Sequence, residues 1–426
     1  MRINIHDRET TIIRSSIVMY FSAVVLMMLL YAMGCDDHHK PHPSPVTPHV
    51  SAGYIHNEGG RVFYKGKPVM LHGYGDYGML GDKRLFPDLS TINSYLSTIA
   101  SYGVNLTRNF LLGPGPFSPY EFVAGTDFVL TKERAMTVKS WHKYQHAEHW
   151  DDQWNDEFWN RLHVLLDHKD MVHILVILDH WHNYRGQNYK TGYARDGVWV
   201  GPNNPRALTF WDWAVWNPGN SWSGESPVPL SEMRYTQESR WPPAANDNLL
   251  FHDGAIYKDR PDRRRIIGEF IDKMMKETKD YPNVIYEIGN ELRDYTSIQQ
   301  IVGFHTFCAN RILSWNPNAY ITSSTDANAC FHQPYMKMAM VHGLHHARCN
   351  AHSIKKWDEW AGRPVLLDDD GCWSSASPGE SRADPLFVGA CMNAAEQFGY
   401  HTNTKQSYDI HNLNIPVLEV IRNHTK

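Results

Sequence analysis

The stretch NVIYEIGNEL, residues 283–292, decides how the chain is read. Pro282 closes the amphipathic segment before it, and Val284, Ile285, Tyr286 and Ile288 form a short apolar run of β-favouring residues. A run of that length and composition reads as a strand buried on both faces, the kind that builds parallel sheets. It ends in Gly289, Asn290 and Glu291, setting a carboxyl beside an amide where the strand runs out. In an α/β barrel that end of a strand is where the chemistry sits. An Asn-Glu pair alone serves equally well to cap a helix, so the flanking sequence has to decide.

On both sides the pattern alternates strand with amphipathic helix. Residues 62–68 read as a hairpin turning at Lys65, Gly66 and Lys67, and lead into a first strand at 69–74 that carries His72. Ile92, Tyr95, Leu96 and Ile99 fall at helical spacing, with Gly103 at the position that ends a helix in a left-handed turn. Residues 104–110 are a second strand. Phe158, Leu162, Leu165 and Leu166 mark the next helix face, and 173–178 the third strand. Ile266, Ile267, Phe270, Ile271, Met274 and Met275 mark the helix that feeds the opening stretch. Downstream come a helix at 298–313 and strands at 320–324, 338–346 and 363–371. A helix opening on Asp384 and Pro385 and stopping at Gly399 follows, then a strand at 400–406 and a short final segment to Lys426. Eight strands alternating with helices predict a single (β/α)8 TIM barrel over residues 53–426. Residues 183–262 form a long Trp-rich βα insertion after the third strand, and a loop of that length usually serves a function.

Composition sets outer limits. At 426 residues and 42% hydrophobic content the chain can bury a large core, which excludes a disordered protein. A net charge of −5 gives no electrostatic reason to expect a nucleic-acid partner. Fifteen Trp and 22 Tyr supply faces that stack on sugar rings, and equally supply core.

The N-terminus reads as an address. Arg2, Arg8 and Arg14 precede an apolar run at 17–33 that exits through Gly34 and Cys35, the layout of a secretory signal. Residues 30–35, LYAMGC, resemble a bacterial lipoprotein lipobox, with Ala32 where Leu is more usual. That resemblance implies a signal peptide ending at Cys35 and lipidation of Cys35. It also implies a protein held to the membrane of the cell envelope by a lipid anchor, facing the periplasm or the exterior. An uncleaved anchor is the competing reading, since ~17–20 apolar residues also span a bilayer. Residues 36–52, rich in Pro and His, form an extended tether. Cys308, Cys330, Cys349, Cys372 and Cys391 remain, widely spaced and without a CxxC pair, which leaves one or two disulfides open and does not support a zinc site.

Three motifs occur in order on the second, fourth and seventh strands: GVNLTR at 103–108, GNE at 289–291, and Pro364 followed by Asp369, Asp370 and Gly371. Together they resemble the retaining glycoside hydrolases of the (β/α)8 superfamily, the cellulase-like family 5 and its relatives of clan A. The resemblance implies cleavage of O-glycosidic bonds in a β-linked polysaccharide or oligosaccharide, with no cofactor and no metal. It makes Glu291 the acid/base, Asp369 the nucleophile, and Arg108 the support of the nucleophile. Asn290 would hold the hydroxyl next to the reacting carbon. Substrate contacts fall to His72, His180, Trp373 and one of His345 and His346, and at least one Trp of the insertion is expected to touch substrate.

One departure matters. The family frame carries Glu where this chain has Asp369, and the missing methylene withdraws the carboxylate by roughly 1–1.5 Å. Retaining enzymes hold their carboxylates ~5–5.5 Å apart and inverting ones ~6.5–9.5 Å. The substitution therefore leaves open retention, inversion through a water, and a site that binds sugar without cleaving it. Along a strand Asp368 and Asp370 point opposite to Asp369, so only one face of this acidic triplet can serve the site. Two further classes compete: a carbohydrate-binding lipoprotein on the same barrel, and a metal-dependent hydrolase using Asp179, His180, His182 and the histidines at 345 and 346.

Overall fold

The computed structural model describes residues 53–75, 79–80, 85–111, 154, 156–179, 200–201, 204–206, 261–290, 298–324, 328–342, 362–368, 384–404 and 413–425. By its contacts the chain divides into residues 1–49 and 50–426, and every described residue belongs to the second unit. Cys35, the tether and the Trp cluster at 210–222 lie outside the described residues.

Three short antiparallel strands come first: β1 His56–Glu58, β2 Arg61–Tyr64 and β3 Lys67–Pro68. The turn between β2 and β3 uses Lys65 and Gly66 at φ 52° and 73°, the paired left-handed conformations of a tight hairpin. The barrel elements follow as β4 His72–Tyr74, α1 Leu89–Ser101, β5 Leu106–Phe110, α2 Asp156–Leu166, β6 Val172–Asp179 and α3 Pro261–Thr278. After these come β7 Val284–Asn290, α4 Ile298–Trp315, β8 Tyr320–Ser324, α5 Asn328–Phe331, β9 Ala339–His342 and β10 Val365–Asp368. The last three elements are α6 Pro385–Glu396, β11 His401–Thr404 and α7 Ile415–His424.

Eight strands run in the order β8-β7-β6-β5-β4-β11-β10-β9, and every pairing is parallel. The two edge strands meet where Lys337 donates its N–H to the Ile321 carbonyl at 2.8 Å and Thr322 Oγ1 donates to the Met338 carbonyl at 2.9 Å. The sheet therefore curls back on itself as a (β/α)8 barrel. The pleat sorts its side chains into two cores. Leu71, Leu106, Val172, Ile174, Ile285, Tyr320, Met340 and Leu366 fill the inside, stoppered at the N-terminal end by Ile55 and by Val62 and Tyr64 of the opening sheet. Their neighbours Leu175, Tyr286, Ile321, Val341 and Leu367 face outward against the helices. The helix faces are those the spacing predicts: α1 buries Ile92, Tyr95, Leu96 and Ile99, and Gly103 takes up φ 85° behind it.

The segment before Lys426 is a helix, α7, capped by the Asn414 side chain accepting from Val417 N–H and burying Val417, Leu418 and Ile421. Arg161 on α2 is fully buried, and its guanidinium donates to the Phe86 carbonyl at 2.5 Å, tying down the segment before α1. Among the described residues Cys308, Cys330 and Cys391 are all buried. Also among the described residues, no helix is long and apolar enough to cross a membrane.

Candidate active site

One step beyond the apolar inner layer, towards the C-terminal ends of the strands, the inside of the barrel turns polar. The same pleat that puts Leu106, Ile285, Tyr320 and Leu366 inside puts Arg108, Glu287, Ser324 and Asp368 inside as well. Asn290 is out of step with Glu287, and strict alternation would send it to the helices. It returns to the inner face because β7 carries a bulge: Glu287 pairs with Thr322 and Asn290 with Ser324, so three residues of β7 span two of β8.

These side chains form one buried network around Arg108. Its Nε donates to Glu287 Oε2 at 2.7 Å and its Nη2 to Glu287 Oε1 at 2.6 Å, the two-pronged match of a guanidinium to a carboxylate. Nη1 donates to Asp368 Oδ2 at 3.0 Å, and Nη2 also reaches Asn290 Oδ1 at 2.7 Å. The Ser324 hydroxyl lies 2.6 Å from Glu287 Oε1 and 2.9 Å from Asn290 Oδ1. The other oxygen of Asp368 accepts from Asn403 Nδ2 at 2.7 Å. Asn403 in turn lies against Gly73, where any Cβ would collide with its Oδ1. Arg108, Glu287, Asn290, Asp368 and Asn403 are all fully buried. Charges so far from water survive only when paired and hydrogen-bonded, and here one guanidinium serves two carboxylates.

Of the residues singled out from the sequence, Arg108 and Asn290 are brought together directly. Glu291 and Asp369 lie outside the described residues, as do His180, His345, His346 and Trp373. In the chain Glu291 is the residue after Asn290, and Asp369 the residue after Asp368, so both candidate acids follow immediately on members of the network. Asp368 is the member of the acidic triplet that occupies the inner face. His72 is placed apart from the group. With Leu71 and Gly73 facing inward, the pleat turns His72 outward, where Nδ1 is 3.1 Å from Thr402 Oγ1 and Nε2 is 3.7 Å from Glu396 of α6. Burial, then the nearby His424, lowers its pKa to about 4.

Glu287, Ser324 and Asn403 were not expected from the sequence. A signal for Glu287 exists: it is an acid inside a run of buried apolar residues, in step with Ile285, and such a residue requires a cation inside the barrel. Among the described residues no group of three or more His, Cys, Asp or Glu side chains is arranged to hold a metal ion.

The sequence matches no protein-family model and no curated protein. Solved structures do match. An endo-1,4-beta-mannanase from Rhizomucor miehei superposes with a TM-score of 0.51 at 11% identity, covering 88% of this chain and 99% of that one. A glycoside hydrolase family 5 mannosidase from Rhizomucor miehei gives a TM-score of 0.52 at 11% identity, covering 88% and 97%. A variant of a family 5 mannosidase from Rhizomucor miehei, in complex with mannosyl-fructose, gives 0.52 at 12% identity over the same shares. At these identities the likeness is one of fold, and the chain shares the (β/α)8 barrel of these family 5 enzymes.

Proposed function

We propose that the protein is a glycoside hydrolase that cleaves O-glycosidic bonds in a β-linked polysaccharide or an oligosaccharide derived from it, by a retaining mechanism with two carboxylates. The observation that carries this reading is the buried network of Arg108, Glu287, Asn290, Ser324 and Asp368, which two strand ends enter just before Glu291 and Asp369. A site of this kind needs two carboxyl groups held rigidly across a bond, and rigid strand ends backed by locked side chains hold them better than loops.

In this mechanism Glu291 protonates the departing glycosidic oxygen and Asp369 attacks the anomeric carbon. Glu291, once deprotonated, then draws a proton from the water that releases the sugar. Asn290, its oxygen engaged by Arg108, orients the hydroxyl next to the reacting carbon. The assignment of Asp369 carries a structural requirement: Asp368 occupies the inner face, so the pleat has to break after Asp368 for its neighbour to reach the same cleft.

The test is a panel of β-linked polysaccharides, with a β-1,4-mannan first because the barrels it resembles are named for mannan and mannosides. Release of reducing ends by the wild-type protein, unchanged by a chelator, is the expected result. Glu291→Gln is expected to lower kcat by ~10²–10⁴ on natural linkages, the span of general acid catalysis. The same variant should be impaired far less on aryl glycosides, whose leaving groups need no proton. Saturable sugar binding with no product from any member of the panel would replace the hydrolase reading with a carbohydrate-binding one.

A further inference from the structure

We propose that Glu287 is a positioning residue for the hydrolytic site, acting through Arg108 on Asn290; this rests on the glycosidase reading above. Glu287 stands four residues before Glu291 and is fully buried. Both its oxygens are used on one guanidinium, Oε2 on Nε at 2.7 Å and Oε1 on Nη2 at 2.6 Å. Two parallel bonds fix the plane of that guanidinium where a single bond would leave it free to rotate. With the plane fixed, Nη1 meets Asp368 at 3.0 Å and Nη2 meets Asn290 at 2.7 Å. Ser324 adds a second link, its hydroxyl bridging Glu287 and Asn290 at 2.6 Å and 2.9 Å.

Stability alone is a poor explanation for this arrangement. A buried ion pair is often no better than well-packed apolar residues of the same volume, because desolvation offsets the attraction. What the group adds is placement. The β7 bulge brings Asn290 to the inner face, where Arg108 and Ser324, both bonded to Glu287, hold its oxygen. Errors of about 1 Å at a reacting centre cost as much as ~10²-fold in rate even when the displaced group lies far from the chemistry.

The test is a double-mutant cycle on kcat, measured on the polysaccharide that the wild type hydrolyses. Glu287→Gln keeps the shape but turns an amide NH2 towards the donors of Arg108, which forces the guanidinium to swing. The variant is expected to lose ~10–10²-fold in kcat with KM within about threefold of wild type. Added to Asn290→Ala, it should cost little more than Asn290→Ala alone, since both act through one contact. If Glu287→Gln does not fold, Ser324→Ala takes its place, with an expected loss of roughly 3–10-fold and the same lack of additivity. A folded variant with wild-type kcat and only a lowered unfolding midpoint, or losses that multiply in the double mutant, would overturn the role. Product from the wild type with an unaffected Glu287→Gln refutes this proposal alone. No product from the wild type removes the glycosidase reading and this proposal with it.

Discussion

Arg108→Met is expected to yield little folded protein. Methionine fills most of the volume but removes every donor, leaving Glu287 without its two-pronged partner and Asp368 Oδ2 without Nη1. Removing one member of a buried ion pair costs roughly 3–5 kcal/mol, because the surviving charge stays buried without compensation. Here two carboxylates lose the same cation. The penalty should therefore reach the upper end of that range or pass it, against a total stability of ~5–15 kcal/mol for a domain. Arg108→Lys restores charge without the fork, so it should fall between the variant and wild type. Urea unfolding followed by tryptophan fluorescence measures both. An Arg108→Met protein within about 1 kcal/mol of wild type would mean that the network does not carry the energetic load assigned to it.

Acid should unfold the protein from about pH 5 downward, as its buried histidines take up protons. Four buried histidines are held neutral by desolvation, His72 with a pKa lowered to about 4 and His173, His305 and His401 to about 3. Their hydrogen bonds agree with the neutral state. Leu71 N–H donates to His401 Nδ1 at 3.0 Å, which requires that nitrogen to be unprotonated. His173 receives the Thr107 hydroxyl at Nδ1, 2.7 Å away, while its Nε2 faces the His168 carbonyl. The direction follows from proton uptake. Each group has a folded pKa below its unfolded value of 6.5, so between those values the unfolded chain binds more protons. The stability from these residues is complete above about pH 6.5 and is lost as pH falls towards the folded pKa. Each contributes a slope of about 1.4 kcal/mol per pH unit in that window, and four together about 5.5 kcal/mol per pH unit. Cooperative unfolding is then expected between about pH 5 and pH 4. Far-UV circular dichroism against pH tests it, and a native spectrum held to pH 3 would contradict it.

The barrel was legible because its strands are apolar runs and its helices carry apolar residues at helical spacing. Ile92, Tyr95, Leu96 and Ile99 identify the buried face of α1, and Val284, Ile285, Tyr286 and Ile288 identify β7. The polar lining was less legible, because its placement depends on which residue of a pair faces inward. Arg108 was recognisable from its motif, but its main partner Glu287 was not, since one acid in a buried strand does not reveal which strand it faces across the barrel. Asn290 reaches Arg108 only through the β7 bulge, and nothing local distinguishes Gly289 as part of a bulge from Gly289 as the end of a strand. The triplet at 368–370 has the same difficulty: three adjacent acids carry no periodicity of their own, and only the strand register places Asp368 inside, next to Asn403. His72 could have been placed by counting, because Leu71 and Gly73 face inward and leave it the outer side. The helix α7 also had its signals, with Asn414 and Pro416 opening it and Val417, Leu418 and Ile421 on one face.

The central claim is that Glu291 and Asp369 face each other across the scissile bond and that Asp369 becomes covalently attached to the sugar. The most direct test is to inactivate the protein with an activated 2-deoxy-2-fluoro-β-glycoside of the sugar it hydrolyses, and to locate the label by peptide mass spectrometry. The account predicts one glycosyl group per molecule, on Asp369, accumulating with loss of activity. Label on Asp368, or continued hydrolysis of the parent glycoside by a protein that takes up no label, would contradict it.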